Sequence, residues 1–224
     1  LVADIRIDGA GKKVTRSDNC RVSDLSVSSD NLTFTYEAKS LPYPIDTSYY
    51  DNEKHTQADA LSVIPFMDEM NYEGLSVSGL SDGYYGLTIG GEFIGRFTAR
   101  ELERGINMAL LQNTPQYKQA MKIRQMNEER WLKERKMREF YWVEYNLMRK
   151  TGMLWACNEA AVDTLRKYRP HDIFLQWNGD LWLQYMHKGI REDCVNEQQD
   201  LVNQIYEQNK PIPLRIEIKK FTDL

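Results

Sequence analysis

The sequence predicts an α+β protein: an antiparallel β-domain with a long helix and a helical subdomain inserted before a returning C-terminal strand. Three patterns lead to this prediction. Residues 32–37 alternate strictly between apolar and polar side chains, as in a strand with one covered face. Residues 116–151 contain neither proline nor glycine and consist mostly of good helix formers. Residues 214–218 alternate again, which predicts a strand at the end of the chain.

These patterns divide the chain into two predicted domains. The β-domain comprises residues 1–98 together with residues 212–220, and the helical region comprises residues 99–211. The long helix covers residues 115–151 and would span about 55 Å if it were continuous. We therefore expect it to project beyond the β-domain.

The strands of the β-domain are marked by period-two alternation and by turn residues between them. The predicted strands before the first helix are residues 1–8, 22–27, 32–38, 75–78, 84–89 and 92–97. Residues 28–31 are a plausible hairpin turn. The last three strands should form a meander, with turns at residues 79–83 and at Gly90-Gly91, because glycine takes a positive φ without a steric penalty.

Thr98 ends the predicted meander and begins a helix. Its hydroxyl can accept a hydrogen bond from the backbone N–H of Glu101, whose carboxylate can reach back to Thr98 in a capping box. Apolar residues at helical spacing predict that this helix continues through Leu102, Ile106, Ala109 and Leu110. Thr114 is the expected N-cap of the long helix, and Pro115 its first residue.

The middle of the long helix, residues 127–138, is highly charged. Both signs occur four residues apart, as in Glu129 with Lys133 and Glu134 with Arg138. We interpret this face as solvated, and a helix that docks a partner or forms an oligomer is the alternative.

The second half of the helical region shows three further signals. Asn158 is a plausible N-cap for a helix over residues 159–168. Asn178-Gly179 could turn the chain within the aromatic-rich residues 173–190. Residues 191–208 carry apolar side chains at helical spacing, which predicts a final helix.

The most site-like cluster of the sequence comprises Trp177, Asn178, Asp180 and Trp182. Exposed tryptophan rings can stack on a sugar, and neighbouring amide and carboxylate groups can orient it. Packing of both rings in the helical core is the alternative, since large aromatic side chains mostly serve as core. Asn107 is a separate candidate because it is polar on an otherwise apolar turn. It could face a substrate cleft, or it could satisfy a nearby backbone group.

The composition excludes several classes of function. The chain is 42% hydrophobic and 28% charged, which is ordinary for a globular protein. Its net charge of −4 gives no electrostatic case for binding nucleic acid. No apolar run is long enough for a transmembrane segment. The histidines at positions 55, 171 and 187 lack the spacing of a metal site, so we predict no metal and no cofactor.

The three cysteines, Cys20, Cys157 and Cys194, are widely spaced and form no C-x-x-C motif. At most one disulfide could form among them, so the sequence leaves the redox compartment open. We predict buried, inert thiols, because free cysteine is among the most buried residue types.

One string of residues in the middle of the chain is more specific than any single motif. Its members include Gly79-Leu80, Gly83-Tyr84-Tyr85, Gly91-Glu92, Phe97-Thr98-Ala99, Glu101-Leu102, Gly105-Ile106-Asn107 and Thr114-Pro115-Gln116-Tyr117. The string resembles the C-terminal region of GDSL-type (SGNH) ester hydrolases, and most closely their large extracytoplasmic lipase/acylhydrolase-like branch. The resemblance extends to residues 2–8 and 209–218.

The resemblance implies that the catalytic residues lie elsewhere. Such hydrolases use a Gly-Asp-Ser block and an Asp-x-x-His pair. Here Gly179-Asp180-Leu181 is followed by Trp182, and no histidine has an aspartate three positions before it. We therefore predict no catalytic residue in this chain.

By this resemblance, the chain is the non-catalytic C-terminal region of an ester hydrolase. It would flank or shape the active site of an upstream SGNH catalytic domain of the same protein, with an ester or carbohydrate substrate and an extracytoplasmic location. A carbohydrate- or protein-binding module with no link to catalysis is the alternative.

Overall fold

The computed structural model describes residues 1–46 and 56–221. The chain forms two compact units, which are Leu1–Arg124 with Gln208–Leu224, and Gln125–Glu207. We call them the β-unit and the helical unit. The predicted α+β class, with a long helix and further helices before a final strand, is confirmed.

The β-unit contains two sheets. The strands described are β1 (Ala3–Asp8), β2 (Lys13–Asp18), β3 (Cys20–Val27), β4 (Asn31–Ala38), β5 (Glu73–Ser78), β6 (Tyr84–Ile89), β7 (Glu92–Thr98), β8 (Ile106–Asn107) and β9 (Leu214–Lys220). One sheet has the order β2-β1-β5-β8 and the other the order β3-β4-β9-β6-β7. Neighbouring strands are antiparallel except β1 and β5, which are parallel.

The helices are distributed over both units. Those described are α1 (Phe66–Glu69), α2 (Ala99–Arg104), α3 (Pro115–Val143), α4 (Glu159–Tyr168), α5 (Ile173–Tyr185) and α6 (Lys188–Gln208). A π-helical turn, Glu144–Met148, continues α3, so the predicted long helix is confirmed except for its last turn. The predicted domain boundary at residues 98 and 99 lies inside the β-unit, because α2 packs on β5.

The last strand, β9, lies in the centre of the five-stranded sheet, between β4 and β6. Its apolar residues alternate with polar ones, and Ile216 and Ile218 are buried. Ile216 lies opposite Phe34 in the pairing with β4, and Ile218 lies opposite Leu32. The prediction that the C-terminal strand returns to the β-domain is confirmed, because its inward face completes that core.

The core of the β-unit is shared by its two sheets. Ile5 and Ile7 of the four-stranded sheet belong to the same buried cluster as Phe34, Leu87 and Ile216 of the five-stranded sheet. Each of these side chains is almost fully buried. The two sheets therefore form a two-layer structure around one apolar interior, as alternating strands of this kind do.

The predicted three-stranded meander is wrong in its first half. β6 and β7 form a hairpin through Gly90-Gly91, and both glycines have positive φ, as predicted. β5 instead lies in the other sheet, parallel to β1, and the chain crosses between the sheets at Gly79. There φ is +73°, and a Cβ would lie 2.9 Å from the backbone nitrogen of Ala10. The turn residues 79–83 predicted a hairpin between β5 and β6, but β5 pairs with the distant strand β1 instead.

Two further features of the β-unit differ from the predicted structure. The strand β2 was not predicted, because it lies at a sheet edge, is mostly exposed and shows no apolar alternation. The capping box at Thr98 is confirmed, but α2 ends at Arg104 instead of continuing to residue 110. Gly105 has a φ of +95°, which ends the helix, and β8 and a 3₁₀ turn follow.

Local signals at helix starts were read correctly. The Thr114 hydroxyl accepts a hydrogen bond from the backbone N–H of Tyr117 at 3.3 Å, and α3 begins at Pro115. The Asn158 side chain accepts from the backbone N–H of Ala161, as an N-cap does. On α3, the ion pairs Glu129 with Lys133 and Glu134 with Arg138 are both present.

The helical unit has a core of its own. Phe140, Met148, Leu165 and Trp182 are almost fully buried and belong to one cluster. The predicted turn at Asn178-Gly179 is wrong, because α5 continues through it. A Cβ on Gly179 would lie 3.0 Å from Nε of Arg169, so glycine permits the close approach of that side chain.

Candidate functional site

Three aromatic rings form a row on the helical unit, which we call the aromatic row: Trp142, Phe174 and Trp177. The ring centroids of Trp142 and Phe174 are 5.2 Å apart, and those of Phe174 and Trp177 are 5.6 Å apart. Trp142 is partly buried, whereas Trp177 is 67% exposed. The row therefore leads from the interior of the unit to its surface.

A cavity of about 350 Å³ lies beside the buried end of this row. Trp142, Leu147 and Leu175 supply apolar walls, and Lys150, His171 and Tyr168 are among the polar residues that line it. We call it the Trp142 cavity. Its volume lies at the lower end of the range for small-molecule sites, so it could hold a single ring.

Hydrogen bonds within the helical unit occupy several polar groups of this cavity. Oδ1 of Asp172 accepts from the backbone N–H groups of Phe174 and Leu175, which caps α5. The Thr151 hydroxyl donates to the carbonyl of Leu147 at 3.0 Å, and Asn146 donates to the carbonyl of Trp142. These groups hold the cavity wall in place and are not free to react.

The cavity is lined by aromatic, apolar and polar side chains, and it contains no candidate nucleophile for ester hydrolysis. None of its lining residues is serine or cysteine, and its one hydroxyl-bearing aliphatic side chain, Thr151, is occupied by backbone carbonyls. Within the described residues, Lys150 and the ring of His171 make no hydrogen bond or ion pair. They remain available to contact a polar group on a ligand whose ring packs against Trp142.

The structure does not bring the predicted cluster of residues 177–182 together as one exposed platform. Trp182 is fully buried, and its Nε1 donates to Oε1 of Glu144 at 2.8 Å. Asn178 is partly buried on α5. Trp177 alone of the two tryptophans is exposed. A helix turns by about 100° per residue, so positions five apart do not share a face.

Asp180 is exposed and paired with a neighbouring cation. Both of its carboxylate oxygens accept from Arg169 at 2.7 Å, in a bidentate arrangement. The hydrogen bond from Arg169 holds the pKa of Asp180 below its ordinary value. Arg169 also donates to the carbonyl of Gln176, so this pair joins the segment before α5 to the helix itself.

Asn107 lies in the β-unit, and backbone groups occupy its whole side chain. Its Oδ1 accepts from the N–H groups of Glu73 and Ala109, at 2.9 and 3.1 Å. Its Nδ2 donates to the carbonyls of Met67 and Asn71. The amide therefore ties residues 67–73 to residues 107–109. Of the two roles that the sequence allowed for Asn107, these contacts match the second, in which the side chain satisfies nearby backbone groups.

A second feature of the helical unit, the surroundings of Trp155, was not predicted from the sequence. This residue has a φ of +61° and an exposed ring, which contacts Tyr141, Tyr145 and Phe140. Its backbone N–H donates to Oε2 of the buried Glu144 at 2.8 Å. Its partners lie within residues 140–145, which is further from Trp155 than a turn or capping motif extends, so no local motif could have revealed the arrangement.

Among residues 1–46 and 56–221, no three histidine, cysteine, aspartate or glutamate side chains are grouped as a metal site would need. His55 lies outside the described residues. No helix in the described part of the chain is long and apolar enough to cross a membrane.

The comparisons with known proteins relate this chain to an enzyme. Residues 121–210 match the family model of the diltiazem deacetylase C-terminal helical domain. The helical region is similar to that domain. The matched range contains the whole helical unit, including the aromatic row and the Trp142 cavity. No match was found among curated proteins.

A solved structure extends the similarity to both units. The structure is that of BT4096, described as a gut microbial diltiazem-metabolizing enzyme, and it is 35% identical to this chain with a TM-score of 0.91. The match covers 98% of this chain but 50% of the enzyme. The chain therefore spans about half the length of that relative.

Proposed function

We propose that this chain is the non-catalytic C-terminal part of a GDSL-like (SGNH) ester hydrolase of the deacetylase type. In this proposal, a catalytic α/β domain of the same protein carries the nucleophile, and the present chain flanks its active site. The resemblance of the sequence to the extracytoplasmic branch of these hydrolases leads us to propose an extracytoplasmic location.

One observation carries the proposal. Nearly the whole chain superposes on half of a diltiazem-metabolizing enzyme, with a TM-score of 0.91 at 35% identity. Agreement over both units supports a common architecture. The other half of that enzyme has no counterpart in this chain, and the sequence contains neither the Gly-Asp-Ser block nor the Asp-x-x-His pair. Both facts favour a supporting role over a catalytic one.

The helical unit would then contribute binding surface for the part of the substrate that does not react. An aromatic group can pack against Trp142 in the Trp142 cavity, where Lys150 and His171 are available to a polar substituent. Binding energy from such remote contacts can position the reacting ester in an active site. We therefore propose aryl-bearing acetate esters as the substrate class.

A chimera tests this proposal. The region of the diltiazem-metabolizing enzyme that matches this chain is replaced by residues 1–224, and deacetylation of diltiazem is measured. We expect a folded chimera to remain active, because the two backbones superpose closely. In the chimera, Trp142→Ala should raise KM several-fold with a smaller effect on kcat. Trp131→Ala, on the same helix but outside the cavity, is the matched control and should leave KM unchanged.

Two results would contradict the proposal. A folded chimera with no deacetylase activity would show that this chain cannot replace the matching region. Serine-dependent ester hydrolysis by residues 1–224 alone, with a stoichiometric fluorophosphonate adduct, would show that the chain has its own nucleophile. We expect neither turnover nor an adduct from the isolated chain.

The exposure of Trp177 favours a second candidate function, a carbohydrate- or protein-binding module. This ring is 67% exposed and lies at the end of the aromatic row. For carbohydrate, Trp177→Ala should abolish binding on a glycan array while the fold stays intact, and Trp131→Ala should not. Absence of binding by the wild-type chain across a broad array would exclude the carbohydrate form of this function.

A further inference from the structure

One thiol of this chain differs from the other two in its surroundings. Cys157 is exposed, and its Sγ lies 3.3 Å from Nδ1 of His187. Cys20 and Cys194 are buried, and all three are free thiols. The prediction of buried thiols is therefore confirmed for Cys20 and Cys194 and is wrong for Cys157.

The tertiary structure creates the contact between Cys157 and His187. Cys157 immediately precedes Asn158, the N-cap of α4, and His187 lies in the short connection between α5 and α6. Thirty positions separate the two residues in sequence. Because helix ends fix both positions, the thiol and the imidazole are held at hydrogen-bond distance.

Neighbouring charges are already paired. Glu159, two positions after the thiol, forms an ion pair with Arg166 at 2.8 Å. Lys188, next to the imidazole, forms an ion pair with Glu192 at 3.1 Å. The imidazole is therefore the group positioned to exchange a proton with Cys157.

We propose that Cys157 and His187 form a thiol-modification site that undergoes exchange with small disulfides. In the tautomer with the proton on Nε2, Nδ1 of His187 accepts the thiol proton as Sγ attacks one sulfur of the disulfide. The bond between Sγ and that sulfur forms while the disulfide bond breaks. The departing thiolate takes the proton from the imidazolium, so the products are a mixed disulfide and one free small thiol.

The other two thiols are protected from this reaction. Burial raises the pKa of Cys20 to about 11, which disfavours its thiolate. Sγ of Cys194 donates to the carbonyl of Lys133 and accepts from Gln198 within the helical unit. Attack on a disulfide requires a thiolate with access to the reagent, and burial denies that access to Cys20 and Cys194. One reactive thiol per chain follows from this difference.

The test uses the full chain in its native state. The aromatic disulfide DTNB is added at neutral pH and release of its coloured thiolate is followed, and intact mass is measured after incubation with oxidised glutathione. We expect one fast-reacting thiol and one glutathione adduct, located on Cys157 by peptide mapping. Cys157→Ser should remove both. An adduct located on Cys20 or Cys194 in the folded wild-type chain would overturn the proposal.

The role of the imidazole is tested separately. His187→Gln should slow the reaction of Cys157 roughly tenfold, because the thiol loses its proton acceptor. Lys136→Gln, at an exposed side chain of the same unit that lies outside the Trp142 cavity and makes no contact with Cys157, is the control and should not change the rate. An equal rate in wild type and His187→Gln would overturn the proposal.

Chemical rescue distinguishes proton transfer from a structural effect. In His187→Ala, free imidazole added to the buffer should restore part of the lost rate, whereas imidazole should not accelerate the wild-type chain to the same degree. Equal melting temperatures of the wild type and both variants would show that the fold is intact. A slow His187→Ala variant that imidazole does not accelerate would contradict the proposed role of His187.

Discussion

Each of the two units of this chain has a buried glutamate, and the two carboxylates have different roles. In the β-unit, Glu73 is fully buried and accepts hydrogen bonds from the Tyr36 hydroxyl at 2.8 Å and from the Gln116 amide at 3.3 Å. In the helical unit, Glu144 is 1% exposed and accepts from Nε1 of Trp182 and from the backbone N–H of Trp155, both at 2.8 Å.

The partners of the two carboxylates explain the difference. Tyr36 and Gln116 lie on β4 and at the start of α3, so Glu73 joins a strand and a helix through their side chains. Glu144 instead satisfies the N–H of Trp155, which has a positive φ that non-glycine residues rarely adopt. A buried carboxylate thus reinforces the fold in one unit and fixes an unfavourable loop conformation in the other. Strain of this kind persists only where its surroundings enforce it.

Removal of the helical unit's carboxylate should have the largest effect. Glu144→Ala leaves the N–H groups of Trp155 and Trp182 buried or partly buried without an acceptor, and should lower the free energy of unfolding by about 3 kcal/mol. All five tryptophans lie within residues 125–207, so tryptophan fluorescence during urea unfolding reports on this unit. Glu134→Ala, on the exposed face of α3, is the control and should change the stability by less than about 0.5 kcal/mol. Equal stability of the two variants would contradict the role assigned to Glu144.

Protonation of Glu73 should make the stability of the β-unit depend on pH. Burial raises the pKa of Glu73 to about 7, although the hydrogen bonds from Tyr36 and Gln116 oppose this shift. The folded state therefore binds the proton more tightly than the unfolded state. Between the unfolded pKa near 4.5 and about 7, the free energy of unfolding should fall as pH rises, by up to about 1.4 kcal/mol per pH unit.

Glu73→Gln should remove this contribution, because the amide does not titrate. The measurement is the difference in unfolding free energy between wild type and variant, followed by circular dichroism at pH 5 and pH 7, with an expected change of about 2 kcal/mol. Glu92→Gln, at an exposed carboxylate of the same unit, is the control. If the difference in unfolding free energy between wild type and Glu73→Gln were the same at pH 5 and pH 7, the pKa of Glu73 would be the same in the folded and unfolded states, which would contradict the prediction.

The smallest effect is expected at Asn107, where no titration is involved. Asn107→Ala removes hydrogen bonds to four backbone groups and should lower the free energy of unfolding by about 1.5 kcal/mol. Asn107→Asp keeps the acceptor oxygen and loses the amide donor, so its stability should be intermediate. In the chimera described above, loss of deacetylation by Asn107→Ala without loss of stability would instead place this residue at the substrate.

Local sequence signals predicted much of the fold. The capping box at Thr98, the N-caps Thr114 and Asn158, and the hairpin at Gly90-Gly91 were read correctly, because neighbouring residues make each of these arrangements. The alternation of β9 predicted both its strand and its return to the β-domain. The prediction was wrong for β5, because pairing with the distant strand β1 determines which sheet β5 joins. It missed β2, because this edge strand has no alternation of apolar and polar residues.

The candidate site was less predictable than the fold. The aromatic composition of residues 174–182 indicated that rings matter there, but only the helical phase of α5 and its packing show which ring is exposed. Trp177 is at the surface, and Trp182 is in the core with Glu144. The contact of Cys157 with His187 joins residues thirty positions apart and leaves no local signal.

The sequence by itself determined the α+β class, the long helix, the main helix starts and the absence of a recognisable hydrolase motif. These follow from periodicity, capping and the identity of neighbouring residues, which act over a few positions. The tertiary structure alone decided which sheet β5 joins, which tryptophan is exposed, and which carboxylates and thiols have partners. Those outcomes depend on contacts between residues far apart in the chain, and burial fixes them only once both partners are in place.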